Sequence, residues 1–395
     1  MLPGARRDPL HVVVATPDAI GVRMAGPGIR ALYLARELAA VASVTLVARR
    51  GEPELEVAEF FRGASGPLPR LVERGTPAAV RALREADVLF GQPARGFRRY
   101  RRGQKIVYDL FDPLVLELRE LYGTSPSLRQ LVHLAAEWSR LTFALRHADL
   151  LVCAAPKQRE FYGRLQPGET GWIEVPFGVD LDEAGPAAVP SAHTPSASAR
   201  ENLVLWGGGV WEWLDPATAV EAITALNREG LRCRLLFLGR TRPNQEDAGR
   251  GREARFDALL ASGAPFVDAN PQWVPYRERL TWLRAAKVTI MLHRATAEAE
   301  CAIRTRLFDA LVAGVPVVAT EGGFAADLVR REGLGIVVPP GDRGAVAGAI
   351  RRLLCDDEFH LRCVRNLERV RPQYAWSRVA RPLVEAVEEW ERQRL

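Results

Sequence analysis

Two arginines and an aspartate lie close together in the stretch 298–323, at Arg304, Arg306 and Asp309. The apolar spacing predicts a helix from this point to Val312, and a helix N-terminus favours anions over cations. Two arginines there need another reason, and a bound diphosphate would supply one, because guanidinium groups bind phosphate in bidentate fashion. Asp309 could accept two hydrogen bonds from a ribose diol, or it could pair with Arg306 along the helix.

A glycine-rich turn follows a predicted strand in the second half of the chain. Trp206 is followed there by three glycines, among them Gly208 and Gly209, whereas a tight turn would need only one. The run therefore predicts backbone contact with a phosphate or a sugar, since glycine lets the backbone approach a ligand closely. Trp211 and Trp213 could stack on a planar or sugar ring, or they could pack in the core.

The corresponding turn in the first half, Gly26, Pro27 and Gly28 followed by Arg30, carries a weaker signal. It lacks the later glycine of the GxGxxG pattern and the Gly-Lys-Ser/Thr of a P-loop. A ligand contact at Gly28, close to a helix N-terminus, and a simple strand-to-helix turn explain it equally well.

Two further features could contact charged ligands. His293 ends a predicted strand, where it could touch a sugar or a phosphate or be a packed structural histidine. The basic run 95–105, RGFRRYRRGQK, suggests acidic lipid headgroups or an anionic acceptor, with a solvated loop as the alternative. Phe97 and Tyr100 interleave its arginines, but the charge sits in a single loop, so we expect no nucleic-acid partner.

The elements that must position these residues alternate between strand and helix. Strands are predicted at 11–16, 43–48, 86–90, 105–109, 150–154 and 171–176, and again at 202–206, 234–238, 264–267, 288–292, 315–319 and 334–338. Such alternation implies parallel sheets with helices on both faces. The Pro/Ala/Ser stretch 185–200 is a linker by composition. We therefore expect an α/β protein of two tandem Rossmann-like, doubly wound domains facing a cleft, with ligands at the carboxyl ends of the strands.

Composition narrows the class of protein. The 395 residues are 48% hydrophobic and 26% charged, which fits two globular domains, or at most three, and excludes disordered and collagenous chains. The net charge of +6 comes almost wholly from arginine, for which genomic bias is the simpler explanation. The five scattered cysteines exclude a disulfide scaffold and a cysteine-rich zinc site. No apolar run is long enough for a membrane span or a signal peptide, so we expect a cytoplasmic protein.

The residues quoted above resemble those of GT-B glycosyltransferases of the large retaining family four, also called glycosyl transferases group 1. The stretch 307–323 resembles the family's helix with an acidic residue, a Gly-x-Pro-Val-Val turn and a later Gly-Gly. Asp309 matches the family's second glutamate, which is implied to hold the ribose of the donor. The first glutamate is expected eight residues earlier, where Cys301 stands, so the implied sugar-contacting carboxylate is either Glu298 or Glu300.

Other segments extend the resemblance over nearly the whole chain. It implies a domain junction at 175–180, a strand at 107–112 that brings Asp109 and Asp112 near the donor sugar, and a base-binding loop that begins at Val274. It also implies that a helix near the end of the chain, within 374–395, returns to the first domain. The implied division is therefore an acceptor domain of 1–184 completed by 374–395, the linker 185–200, and a nucleotide-sugar donor domain of 201–373.

One departure from the family concerns the diphosphate. Many members carry an arginine and a lysine just after the strand that here ends in the glycine run, and this chain has no lysine there. Arg304 and Arg306, or Arg240 and Arg242 after another strand, could neutralise the phosphates instead.

The resemblance implies transfer of a sugar from a nucleoside diphosphate sugar to a hydroxyl or an amine. The acceptor could be a polysaccharide, a lipid-linked glycan or a secondary metabolite. Retention of configuration with the departing phosphate as base is implied, and Asp112 or Asp109 would orient the sugar or the acceptor. We expect no required metal and no cofactor beyond the sugar nucleotide. A peripheral membrane contact would accompany a lipid-linked acceptor.

Two alternatives come from other classes of protein. A nucleotide-sugar epimerase of the same shape would convert the donor without an acceptor. A non-catalytic sugar-nucleotide-binding protein would bind the donor without transfer, and the missing glutamate and lysine leave this alternative open.

Overall fold

The computed structural model describes residues 9–51, 54–63, 65–184, 202–239 and 250–394. Contacts divide the chain into two compact units. The first comprises Met1–Phe111, Ala135–Pro176 and Trp376–Leu395, and the second comprises Asp112–Leu134 and Phe177–Ala375. Residues 112–134 and 177–184 thus group with the second unit, although the sequence-based division placed them in the first domain. The predicted linker 185–200 lies outside the described residues.

The first unit is built on a sheet in which every strand pair is parallel. Its strands are β1 (His11–Ile20), β2 (Ser43–Arg50), β3 (Arg70–Glu73), β4 (Val88–Gly91), β5 (Lys105–Asp109), β6 (Leu150–Cys153) and β7 (Gly171–Glu174). Their spatial order is β3-β2-β1-β4-β5-β6-β7, which is the doubly wound arrangement expected from alternating strands and helices.

The second unit repeats this architecture. Its strands are β8 (Leu203–Trp206), β9 (Arg234–Phe237), β10 (Val267–Ala269), β11 (Val288–Met291), β12 (Val317–Thr320) and β13 (Gly335–Val338). They lie in the order β10-β9-β8-β11-β12-β13, again with parallel pairing throughout. The α/β, doubly wound fold predicted from the sequence is therefore confirmed for each unit.

Helices connect the strands in both units. They are α1 (Gly26–Ala39), α2 (Val57–Phe60), α3 (Pro77–Glu85), α4 (Leu114–Tyr122), α5 (Leu128–His147), α6 (Pro156–Gly163), α7 (Pro216–Arg228), α8 (Arg250–Ser262), α9 (Arg279–Ala285), α10 (Ala297–Cys301), α11 (Thr305–Ala313), α12 (Gly323–Glu332), α13 (Arg343–Cys355), α14 (Asp357–Val370), α15 (Trp376–Val379) and α16 (Arg381–Arg394). Short 3-10 turns cover Leu181–Ala184, Tyr276–Glu278 and Arg371–Tyr374.

The last two helices group with the first unit. Trp376 of α15 stacks on Tyr33 of α1, with ring centroids 5.1 Å apart and planes within 6° of parallel. Both rings are buried, and a stacked aromatic pair stabilises by about 0.5–1.5 kcal/mol beyond its area burial. Leu383 and Val387 of α16 are also buried, so the end of the chain supplies part of the first core.

The core of the second unit lies on the central strands. Trp206, Phe237 and Ile290 are fully buried in one cluster with side chains from α7 and α13. The central strands read as continuous apolar runs because both faces of a parallel sheet are covered by helices.

Candidate functional site

The turns that follow the strands of the second sheet carry most of the predicted site. Because all of these strands are parallel, their carboxyl ends meet at one edge, which is where doubly wound sheets bind ligands. The glycine run follows β8, Gly239 follows β9, His293 follows β11, and Gly322 follows β12. Gly208, Gly209 and His293, three of the predicted donor residues, thus come to one edge of one unit.

An indole ring covers the first two of these turns. A Cβ atom at Gly209 would lie 3.0 Å from Cζ3 of Trp273, and one at Gly239 would lie 2.9 Å from Cε3 of the same ring. Trp273 packs directly on the backbone of both positions, so a side chain at Gly239 would force a shift and one at Gly209 would be tight. Gly208 has φ +87°, a conformation that side chains rarely adopt. Sequence reasoning missed Trp273, although it immediately precedes Val274, which is half-buried in the structure.

Arg306 lies against the glycine run. Its Nη2 donates to the carbonyl oxygen of Gly209, and its guanidinium carbon lies 5.1 Å from the ring centroid of Trp206. Among the described residues, its buried Nη1 has no hydrogen-bond partner. Burial and, next, the charge of Arg304 lower the pKa of Arg306 to about 9, so the group remains a cation at neutral pH. Burying a donor of a cationic group without a hydrogen-bond partner is costly, and an anion bound at the glycine run would accept from Nη1 and relieve that cost.

Arg304 is neutralised by another predicted site residue. Its Nη1 and Nη2 donate to Oε1 and Oε2 of Glu298 at 2.8 and 2.7 Å. The Glu298 side chain is 0% exposed. These two residues form a buried bidentate pair at the start of α11, which orders the segment between α10 and α11 and gives both residues a structural reason to be there.

Glu300, by contrast, lines an open cavity of about 460 Å³ beside the turn after β12. The cavity wall also includes Thr296 and Ala299 around α10, and Glu321 and Gly322 after β12. A Cβ atom at Gly322 would lie 2.8 Å from Oε1 of Glu300 and 3.6 Å from Cε1 of His293. The structure therefore brings Glu300 and His293 together, and of the two candidate glutamates only Glu300 lines this space.

His293 is held as a neutral ring. It is 4% exposed, and its backbone N–H donates to Oγ1 of Thr320 at 3.1 Å. Nδ1 lies 3.1 Å from the carbonyl oxygen of Arg294, so Nδ1 carries the proton and Nε2 is left as an acceptor. Burial, aided by the charge of Arg304, lowers the pKa of His293 to about 4.

Asp309 pairs with Arg279 of α9. The alternative expected from the sequence, a pair between Asp309 and Arg306 along the helix, is not the one formed. Arg279 Nε donates to Oδ1 of Asp309 at 2.7 Å, and its Nη2 donates to Oε2 of Glu183 at 2.7 Å. Its guanidinium carbon also lies 3.5 Å from the ring centroid of Tyr276. Burial raises the pKa of Glu183. Arg279 thus fixes the orientation of Asp309 and is itself fixed by Glu183, neither of which sequence reasoning identified.

Asp109 belongs to the first unit, where it forms a buried salt bridge with Arg30 of α1. Both carboxylate oxygens accept from Arg30, at 2.8 and 3.0 Å. Arg30 Nη1 also donates to the carbonyl oxygen of Pro176 at 3.0 Å. Asp109 is thus held by Arg30 through both oxygens, whereas Asp112 is half-buried and groups with the second unit.

Gly28 has a packing role within the first unit. The helix α1 begins at Gly26, so the predicted loop is the first helical turn. A Cβ atom at Gly28 would lie 2.9 Å from the carbonyl oxygen of Ala19, and close helix–strand packing therefore accounts for this glycine.

The basic run 95–105 is partly neutralised. Arg99 pairs with Asp149 at 2.5 Å, and Arg101 pairs with Asp87 at 2.9 Å. These pairs fix the loop on the first unit and account for two of its charges. Arg240 and Arg242 lie outside the described residues. Within the described part of the chain, no cluster of His, Cys, Asp and Glu could hold a metal ion, and no helix is long and apolar enough to cross a membrane.

Comparison with known proteins gives a family match for the second half of the chain. Residues 201–356 match the model of the family Glycosyl transferases group 1. A segment of 70 residues is 34% identical to sucrose-phosphate synthase of Zea mays. The segment makes up 18% of this chain and only 7% of that relative.

Solved structures resemble the whole chain. Sucrose-phosphate synthase from Thermosynechococcus elongatus superposes with a TM-score of 0.68 at 18% identity, covering 97% of this chain and 99% of that one. Anabaena Alr3699/HepE in complex with UDP-glucose gives 0.68 at 12% identity, with coverage of 96% and 100%. WaaG, a glycosyltransferase of lipopolysaccharide biosynthesis, gives 0.65 at 16% identity, with coverage of 95% and 99%. The chain therefore has the GT-B fold, and its residues 201–356 match the model of the family Glycosyl transferases group 1.

Proposed function

We propose that this protein is a glycosyltransferase that moves a sugar from a nucleoside diphosphate sugar to an acceptor hydroxyl or amine, with the donor bound by the second unit. The observation that carries the proposal is the half-buried cation Arg306 against the glycine run, whose buried Nη1 has no hydrogen-bond partner among the described residues. A diphosphate is the leaving group of this reaction, and catalysis depends on stabilising the negative charge that develops on it. Arg306 Nη1 and the backbone amides of the glycine run can supply that stabilisation.

The ribose contact is assigned to Asp309. Arg279 bonds its Oδ1, which leaves Oδ2 as an acceptor for a ribose hydroxyl. Trp273, packed on the two glycine turns, offers an aromatic face close to the predicted base-binding residue Val274. These groups would place the nucleoside on the side of β8 and β9, and the sugar towards β11 and β12.

The sugar contact is assigned to Glu300 and His293 beside the open cavity. Nε2 of the neutral His293 can accept from a sugar hydroxyl, and the carboxylate of Glu300 can accept from another. No role as nucleophile is required, because the departing phosphate can serve as the base in a front-face reaction. We therefore keep retention of configuration as part of the proposal.

Positive charge at the leaving group comes from Arg306, so we also propose that no divalent metal is needed. For the donor, the UDP-glucose bound by Alr3699/HepE makes uridine diphosphate sugars the first to test. The acceptor stays open among polysaccharides, lipid-linked glycans and secondary metabolites.

The test begins with calorimetric titration of UDP into the wild type and Arg306→Ala. Hydrogen bonds to charged groups contribute about 1.5–3 kcal/mol, so the loss of Arg306 should weaken UDP binding about tenfold or more. The matched control is Arg330→Ala, an exposed arginine of α12 in the same unit. Equal UDP affinity in Arg306→Ala and in the wild type would refute the proposed diphosphate site.

Turnover separates the proposed enzyme from its alternatives. Release of UDP should require an acceptor, should continue in EDTA, and should give a product with the anomeric configuration of the donor by NMR. Conversion of the donor alone would indicate an epimerase, and binding with no transfer across a broad acceptor panel would indicate a binding protein.

A further inference from the structure

A second cavity lies in the second unit, beside the turn that follows β8. It measures about 280 Å³, and its walls come from the segment 210–216, from α8 and from Arg294 after β11. Among the described residues, it shares no lining residue with the cavity beside Glu300, and no residue assigned above to the donor lines it. Small-molecule sites occupy about 300–1,000 Å³, so this volume suits a single ring rather than a nucleotide.

Hydrogen bonds to neighbouring elements fix the wall 210–216. The N–H of Asp215 donates to the carbonyl oxygen of Leu292 at 3.0 Å, and the N–H of Arg294 donates to that of Trp213 at 3.0 Å. The carboxylate of Asp215 also caps α7 by accepting from the N–H of Thr218 at 3.1 Å. The wall is therefore ordered in the free protein, and a ligand can bind without first having to order it.

Aromatic and aliphatic side chains line one part of the cavity. Leu214 and Phe256 are buried there, and Trp211 is half-buried. The ring of Trp211 stacks on Trp213, with centroids 6.1 Å apart and planes 24° from parallel. Because that stack holds the indole in one orientation, the cavity contains a fixed flat surface on which the apolar face of a ring can pack.

Charged side chains of both signs complete the lining. The described lining residues include the carboxylates Glu212 and Glu253 and the guanidinium groups Arg255 and Arg294. A phosphate or another anion would meet the carboxylates, and an ammonium ion would meet the arginines. A wholly apolar ligand would remove water from these charged groups without replacing its hydrogen bonds. The cavity therefore suits a neutral ring that has both an apolar face and several hydroxyl groups.

We propose that this cavity binds one neutral sugar ring, separately from the donor. Trp211 packs against the apolar face of the ring, Glu253 accepts hydrogen bonds from its hydroxyl groups, and Arg255 donates to them. The proposal concerns binding alone and does not depend on the transfer reaction.

The test is saturation-transfer difference NMR on the full chain with UDP at saturating concentration, so that the nucleotide site is occupied. The probes are the methyl glycosides of glucose, galactose, mannose and N-acetylglucosamine. At least one of them should receive saturation at its ring C–H protons, and titration then gives its Kd. Glu253→Ala combined with Arg255→Ala should raise that Kd about tenfold or more, because hydrogen bonds to two charged groups are lost.

The matched control is Glu358→Ala combined with Arg362→Ala, which removes an exposed glutamate and an exposed arginine from α14 of the same unit. The control should bind the probe within about twofold of the wild type, and thermal melting should show that both variants fold. Absence of saturation transfer to all four probes, equal losses in variant and control, or binding that disappears when UDP is added would overturn the proposal.

One further variant separates this cavity from the proposed diphosphate site. Arg306→Ala, titrated without UDP, should bind the same probe within about twofold of the wild type, because Arg306 is not among the described residues that line the cavity. A failure of the diphosphate site would thus leave the sugar site standing. A tenfold loss of probe binding in this variant would place the sugar at the glycine run and would also overturn the proposal.

Discussion

Substitution of Arg279 should lower both the stability of the second unit and its affinity for the donor, and a second substitution should restore only the stability. Arg279 is 12% exposed and forms salt bridges with both Glu183 and Asp309. Arg279→Met would leave Glu183 buried without its partner, and breaking a buried pair in this way costs about 3–5 kcal/mol. In a unit of this size each kcal/mol lowers Tm by about 2–4 °C, so we expect a loss of roughly 10 °C.

A second substitution separates the two effects. Arg279→Met combined with Glu183→Leu removes both charges, and replacing a buried pair with apolar side chains is often close to neutral. The double variant should therefore recover most of the lost stability. It should not recover UDP affinity, because Asp309 still lacks the hydrogen bond that orients it, and we expect binding about tenfold weaker than in the wild type, or roughly 1.4 kcal/mol.

The assay pairs differential scanning fluorimetry with calorimetric titration of UDP on the wild type, both single variants and the double variant. The reasoning would be refuted if the double variant bound UDP as tightly as the wild type. It would also be refuted if Arg279→Met melted at the wild-type temperature, because the charge on Glu183 would then need no partner.

Three further predictions concern single features. The pKa of His293 is lowered to about 4. Its contribution to the free energy of unfolding is therefore present above the unfolded pKa near 6.5 and is lost as the pH falls towards 4, by about 3 kcal/mol in all. Denaturant unfolding measured between these pH values should show the loss, and His293→Asn should reduce it. Gly239→Ala should destabilise because its Cβ would lie 2.9 Å from Trp273, and Trp273→Ala in the same chain should relieve that penalty; an additive result in a double-mutant cycle would contradict the contact. Arg304→Ala should cost about 3–5 kcal/mol by stranding Glu298, and if chemical unfolding shows no rescue by Glu298→Ala, the buried pair does not carry that energy.

The sheets could be predicted from the sequence because their strands are short, continuous apolar runs. The predicted strand 105–109 matches β5 (Lys105–Asp109), and most others agree within two residues. The edge strand β3 (Arg70–Glu73) was missed, since only Val72 of its four residues is buried and the apolar signal is correspondingly weak. The predicted strand 264–267 begins too early, because β10 starts only at Val267, after a proline that cannot donate to a ladder.

The location of the candidate site could be predicted from the sequence, but the ion pairs and hydrogen bonds between its residues could not. Motif spacing put Arg304, Arg306, Asp309 and His293 near one sheet edge, and the structure brings them there. It could not show that Arg304 is neutralised by Glu298, because that pairing depends on how the segment between two helices folds back. Nor could it identify Glu183, which lies far from Asp309 in the sequence and meets Arg279 only through tertiary packing.

The chain passes between the two units four times, after Phe111, Leu134, Pro176 and Ala375. The order of synthesis therefore decides when each unit has all of its residues. On the ribosome, the first sheet emerges early, but the ring that stacks on Tyr33 belongs to Trp376 and appears more than 300 residues later. The first unit must therefore wait, with part of the surface of α1 uncovered, while the whole of the second unit is made. The second unit is completed earlier in the chain, at Ala375, although it includes Glu183 and residues 112–134 and so is not a contiguous fragment. A fragment that starts at residue 201 would lack Glu183 and leave Arg279 without that partner.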